Sequence, residues 1–243
     1  MKQRNPTRAR YLLALGASLF TATMSQAAPA QTEPQAFVYT ELQISAPFDK
    51  VPWQQIDSHI KSQPGFLNKT WLAGLGNQSA GGFYAFDSID HAEQFVANYF
   101  PAEARKFGVA QTSRVFDAHA TEDASKEMNS VHYQGKISKK PGAFVYTEMQ
   151  LNAQPFATTM QWKAIDAQLK QQPGLLAKTW LSGVNTGTPG GFYAFDTIEN
   201  AQQFVLHDFP NRMAELKIAF YTRVFDASAT EAASKDMYSP FYK

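Results

Sequence analysis

Ala36-Phe37-Val38-Tyr39-Thr40-Glu41 returns as Ala143-Phe144-Val145-Tyr146-Thr147-Glu148. Gly81-Gly82-Phe83-Tyr84-Ala85-Phe86-Asp87 returns as Gly190-Gly191-Phe192-Tyr193-Ala194-Phe195-Asp196, and Arg114-Val115-Phe116-Asp117-Ala118 as Arg223-Val224-Phe225-Asp226-Ala227. From Trp53/Trp162 to Tyr133/Tyr242 the copies align without a gap at an offset of 109, with 42 identities in 81 positions. The first strands align at an offset of 107, so the second copy carries two extra residues between Glu148 and Trp162. A repeat of this length is one folding unit written twice. The modules span residues 36–133 and 143–243. Between them lies a linker, 134–142, whose core Gly135-Lys136-Ile137-Ser138-Lys139-Lys140-Pro141-Gly142 is polar, basic and closed by Pro-Gly.

Within each module the pattern predicts β-α-β-β-α-β. Residues 37–44 alternate and contain β-branched and aromatic residues, which marks a strand. Residues 52–63 read as a helix with Pro52 in its first turn and Pro64-Gly65 as its stop. Strands are predicted at 67–73, 83–86 and 112–117. Residues 74–82 read as a loop, in which Gly81-Gly82 permits a tight turn into the third strand. Ser88, or Thr197 in the second copy, can cap a helix running from Ile89 to about Tyr99. Pro101 is expected to break or restart that helix. Residues 120–128 are helix-compatible and are expected to pack on an edge, with Ser125, Lys126 and Met128 (repeated as Ser234, Lys235 and Met237) read as helix surface. Four strands with both helices on one face make a ferredoxin-like α+β unit. Its other, aromatic sheet face needs a cover. Two tandem modules facing each other would make an intrachain dimeric α+β barrel, although the same contacts would serve a pairing between chains.

Composition excludes several function classes. The formal charge is +1 over 243 residues, and four positive charges (Lys2, Arg4, Arg8, Arg10) fall in the first ten. Residues 1–30 hold no acid, so the remainder carries 1 − 4 = −3, which offers no electrostatic footprint for nucleic acid. The basic start, a short apolar stretch from Tyr11 to Met24, and small residues around Ala27 and Ala30 read as a cleavable signal over 1–30. The expected location is therefore periplasmic or secreted, with no membrane association after signal removal. Cysteine is absent, which removes thiol nucleophiles and Cys-based metal sites. The five histidines (His59, His91, His119, His132, His207) stand opposite Gln168, Asn200, Ser228, Phe241 and Asn98. A symmetric histidine metal site is thereby excluded, and no metal or other cofactor is expected.

Pro64-Gly65-Phe66-Leu67 with Lys69 and Trp71, then Ala80-Gly81-Gly82-Phe83-Tyr84 with Phe86, then Phe107-Gly108-Val109 and Val115-Phe116-Asp117, resemble the YdhR-like mono-oxygenase family of the dimeric α+β barrel superfamily. The second copy repeats most of these residues but has Lys217-Ile218 in place of Gly108-Val109. The resemblance implies the fold, and with it a cofactor-independent oxygenase activity. It supplies no catalytic motif that can be carried over residue by residue.

Candidate site residues come from strand alternation. Phe37, Tyr39 and Glu41 share the face assigned to the barrel interior. If Lys69, Trp71 and Arg114 also point inward, each module lines a pocket with Tyr39, Glu41, Lys69, Trp71 and Arg114, repeated as Tyr146, Glu148, Lys178, Trp180 and Arg223. Aromatic walls with a few charges suit a small aromatic or anionic molecule. Arginine or lysine would hold its anionic group, and Glu41, its pKa raised by desolvation, would act as a base. The competing reading makes Glu41 and Arg114 an ion pair between strands or modules, and Trp71 core. Two other functions fit the same chain: a non-catalytic binding or stress-related protein, and an assembly module recruiting partners, or copies of itself, through open edge strands.

Overall fold

The computed structural model describes residues 32–243; the expected signal over 1–30 lies outside them. Module one runs β1 (Ala36–Leu42), α1 (Trp53–Lys61), β2 (Phe66–Ala73), β3 (Ala80–Phe86), α2 (Ile89–Gln94), α3 (Phe100–Phe107), β4 (Gln111–Asp117) and α4 (Glu122–Glu127). Module two runs β5 (Ala143–Met149), α5 (Phe156–Thr159), α6 (Trp162–Leu169), β6 (Leu175–Ser182), β7 (Pro189–Phe195), α7 (Ile198–Gln203), α8 (Phe209–Leu216), β8 (Phe220–Asp226) and α9 (Glu231–Asp236). Each module forms a four-stranded antiparallel sheet, ordered β2-β3-β1-β4 and β6-β7-β5-β8. This is the ferredoxin-like α+β fold twice over.

The two sheets face each other. Tyr39 stacks on Tyr146 with ring centroids 4.0 Å apart and planes 3° from parallel, and Phe83 stacks on Phe192 at 4.2 Å and 8°. Around these pairs Phe37, Phe116, Phe144 and Phe225 form one buried cluster shared by both modules. Burying one such ring stabilises by about 1.5–3 kcal/mol, so neither sheet face is viable alone.

Edges meet as well as faces. Leu75 donates its amide to the Val224 carbonyl and Val184 donates to Val115, both at 2.9 Å. These bonds bring the end of β2 onto β8 and the end of β6 onto β4. The outer edges of β2 and β6 are covered by a helix exchange. Helix α9 of module two lies on β2, where the Lys69 amide donates to the Met237 carbonyl and the Trp71 amide to Ser234 Oγ, each at 2.9 Å. Helix α4 does the same for β6, with Lys178 N–H on Met128 and Trp180 N–H on Ser125 Oγ. The outer edges of β2 and β6 are therefore capped. Ser125 and Ser234 are buried rather than surface, because the edge amide of each tryptophan requires an acceptor.

One local expectation also needs correction. Gly81-Gly82 does not form a turn but lies within β3. A Cβ on Gly81 would meet the Thr40 carbonyl oxygen at 2.0 Å, and one on Gly82 would meet Lys69 Cε at 2.5 Å. The glycines permit close strand packing and leave room for a buried lysine. Of the two outcomes expected at Pro101, the helix restarts there and is not broken. A π-helical turn, Phe95–Tyr99, joins α2 to α3, and Pro101 sits in the first turn of α3; the wider turn accommodates a residue that cannot donate. The caps by Ser88 and Thr197 form as expected, each accepting from the amide three residues on. Lys217 adopts the left-handed φ of 55° that Gly108 adopts at 64°, so the departure from glycine leaves the helix end unchanged.

Candidate functional site

The sequence pattern assigned ten residues to two equivalent interior pockets, and the fold separates them onto the two faces of each sheet. Tyr39 and Glu41 do point to the module interface. Glu41 is fully buried. Its Oε2 accepts from Tyr39 Oη at 2.8 Å, Arg223 Nε at 3.2 Å and Tyr221 Oη at 3.2 Å. Its Oε1 accepts from Asn77 Nδ2 at 3.1 Å. Glu148 repeats the arrangement with Tyr146 Oη at 2.9 Å, Arg114 Nε at 3.3 Å and Thr188 Oγ1 at 3.0 Å. The arginine always comes from the other module. Burial pushes the Glu41 carboxyl up, but hydrogen bonds from Ser79, Tyr39 and Asn77 and the charge of Arg223 outweigh it and hold it below the ordinary carboxylate range. The expected rise in its basicity is thus reversed, and its lone pairs are occupied.

Lys69 and Trp71 face the helices instead. The pairing of β2 with β3 sets Lys69 opposite Tyr84 and Trp71 opposite Gly82, and directly paired residues share a face. Tyr84 lies opposite Val38 on β1, whose side chain packs with the helices. Lys178 and Trp180 repeat this placement opposite Tyr193 and Gly191. A register irregularity between Phe66 and Asn68 precedes this stretch, and nothing in the alternation of β2 itself distinguished its two faces.

On that face of module one lies a cavity of about 230 Å³, bounded by β1, β2, α1 and α3. Leu42, Ile44, Ile56, Ile60, Trp71, Tyr84 and Phe100 give it apolar walls, while Lys69, Tyr99 and Glu103 supply polar groups. Lys69 is 1% exposed. Its Nζ lies 2.7 Å from the Trp71 ring centroid and 5.0 Å from that of Tyr84, with no carboxylate of the described residues in salt-bridge range. Burial lowers its pKa well below the ordinary lysine value, against a weaker opposing pull from Asp57. Asp57, fully buried behind the tryptophan, accepts from Trp71 Nε1 at 2.9 Å through Oδ1, while Oδ2 has no hydrogen-bond partner among the described residues. Burial raises its carboxyl to about 6, partly offset by Lys69 and the Trp71 bond. Tyr99 Oη is likewise buried without a protein partner. A carboxyl and an amine are thus driven toward their neutral forms beside an aromatic-lined space, as acid–base chemistry requires.

Asp57 and Tyr99 escaped the sequence reading. The signal for Asp57 was its recurrence as Asp166 at the same position of the first helix; Tyr99 has no such signal, since Asp208 replaces it. His207 is exposed. Among the described residues no group of three His, Asp or Glu could hold a metal ion.

Comparison with solved structures finds a putative monooxygenase from Lactobacillus acidophilus NCFM at 9% identity, covering 79% of this chain and 93% of that one with a TM-score of 0.46. An anthrone oxidase-like protein matches at 14% identity, over 81% and 93%, with a TM-score of 0.46. A mutant chlorite dismutase from Candidatus Nitrospira defluvii matches at 11% identity, over 84% and 97%, with a TM-score of 0.45. No curated protein matches. The family described as "Putative mono-oxygenase ydhR" matches residues 41–130 and again 147–235, and the chain therefore belongs to the YdhR family, which it carries as two tandem modules.

Proposed function

We propose that the chain is exported and that module one binds a small aromatic compound with an acidic proton, which it oxidises with molecular oxygen and no cofactor. The observation that carries this reading is Lys69. It is a desolvated amine over Trp71, without a carboxylate partner among the described residues, in a cavity sized for one or two rings. A neutral amine there takes a proton from a phenol or an activated CH₂ group. The resulting ammonium then holds the substrate anion against the aromatic wall. The anion reduces oxygen: a ring CH₂ becomes C=O, one oxygen atom enters the product and the other leaves as water, with all electrons coming from the substrate. In this reading Glu41–Arg223 and Glu148–Arg114 lock the modules together and take no part in the chemistry.

Oxygen uptake by the chain against anthrones, quinols and catechols, without added metal or flavin, tests this. Uptake above autoxidation that disappears in Lys69→Met and persists in Arg114→Met supports it. Quenching of tryptophan emission by the same compounds, without uptake, favours a non-catalytic binding protein, because Trp71 forms the cavity wall. Absence of both signals refutes the cavity as a ligand site.

A further inference from the structure

The two modules share 42 of 81 aligned residues, but their helix-side interiors differ. In module one Leu42 and Ala46 are partly exposed cavity walls. The same positions of module two hold Met149, 7% exposed, and Ala153, 1% exposed. On the buried side of α3, Ala104 follows Phe100; on α8 the equivalent of Ala104 is Met213, 2% exposed, in one apolar cluster with Met149, Phe209 and Trp180. Relative to alanine, methionine adds three heavy atoms that adapt readily to irregular gaps. The polar lining changes too. Tyr99 is replaced by Asp208, which is exposed and accepts from Gln172 Nε2 at 2.7 Å. Glu103, a carboxylate in the module-one lining, is in turn replaced by Arg212, so charge does not separate the two interiors.

We propose that the chain carries one ligand site, in module one, and that Met213 and Met149 close its counterpart in module two. Resting on the ligand reading above, this assigns different roles to the two copies. Module one binds; module two supplies the facing sheet and, through α9, the backing of the Lys69 strand. Lys178, Trp180 and Asp166 repeat the inner constellation, with Trp180 Nε1 donating to Asp166 Oδ1 at 2.8 Å, so what distinguishes the copies is access and volume. Position 104/213 becomes the residue that decides whether a module can be loaded.

Calorimetric titration of the chain with 2-naphthol tests the assignment. One site per chain is expected, retained in Lys178→Met. Ala104→Met should weaken binding at least tenfold by filling the open cavity. Met213→Ala should raise the stoichiometry from one toward two. Two equal sites in the wild type would overturn the proposal while leaving the ligand reading intact, and so would loss of the site in Lys178→Met. Should Ala104→Met fail to fold, the stoichiometries of the wild type and of Lys178→Met still decide. No binding by the wild type at all would overturn both.

Discussion

His132 sits where the second module has Phe241, and the exchange has a measurable consequence. The imidazole is 8% exposed, with ring centroids 5.0 Å from Phe37, 5.4 Å from Phe83 and 5.8 Å from Phe241. Neither ring nitrogen has a hydrogen-bond partner among the described residues. Burial, aided by the nearby charge of Lys243, lowers its pKa from 6.5 to about 3. The native state therefore holds the neutral ring, while the unfolded chain takes up a proton as pH falls below 6.5. The protonation difference costs almost nothing at pH 7, and stability is lost progressively from about 6.5 down toward 3. With those two pKa values the loss between pH 7 and 4.5 is about 2.5 kcal/mol at 1.36 kcal/mol per unit. His132→Phe removes that term and two unsatisfied nitrogens, whose burial costs on the order of 1–3 kcal/mol. Urea unfolding of both proteins at pH 7, 5.5 and 4.5 is the assay. The variant should be more stable at pH 7 and its advantage should grow by about 2–3 kcal/mol by pH 4.5. A difference that stays constant with pH, or a variant less stable at every pH, refutes the reasoning.

Two further outcomes follow from the buried polar groups. Arg223→Met should destabilise by about 3–5 kcal/mol, since it strands the fully buried Glu41 carboxylate, while the double variant Glu41→Gln/Arg223→Met should recover most of that loss in denaturant titrations. Ser234→Ala leaves the buried Trp71 amide without its acceptor and should cost about 1–3 kcal/mol, with Ser125→Ala giving a similar loss through Trp180; protection of the Trp71 and Trp180 amides from hydrogen exchange should fall in step.

Much of the architecture was legible because the repeat states it twice. Strand β1 alternates cleanly, so its burial could be assigned by period alone, and Tyr39 and Glu41 face the interface as that period implies. Strand β2 gave no such guide. Asn68-Lys69-Thr70-Trp71 puts polar or amphipathic side chains on both faces, because on one face Thr70 bonds Ser239 beyond α9 at 2.8 Å and the other carries a lysine on a tryptophan ring. Only the register with β3 decides which is which. Long-range partners were equally hidden. The acceptor for the Trp71 amide lies 163 residues away, and the donors to Glu41 come from as far as Arg223. A serine that caps a distant strand edge looks, in one dimension, like any serine on an exposed helix.

The exchange of α4 and α9 explains why the two modules can diverge without coming apart. Each sheet gains its edge cover, Ser125 or Ser234 with the backbone of Met128 or Met237, from the opposite module. Each interface carboxylate gains its arginine from the opposite module too. The edge-capping serines and the carboxylate–arginine pairs are thus distributed equally and are identical in both copies, while Tyr221 on Glu41 has Thr112 as its counterpart. The residues that shape the helix-side interiors, Ala104 against Met213 and Tyr99 against Asp208, differ between the copies. In a homodimer both copies of such a position change together. In a fused chain one interior can be filled while the other stays open, and tandem duplication therefore separates the stability of the barrel from the number of its ligand sites.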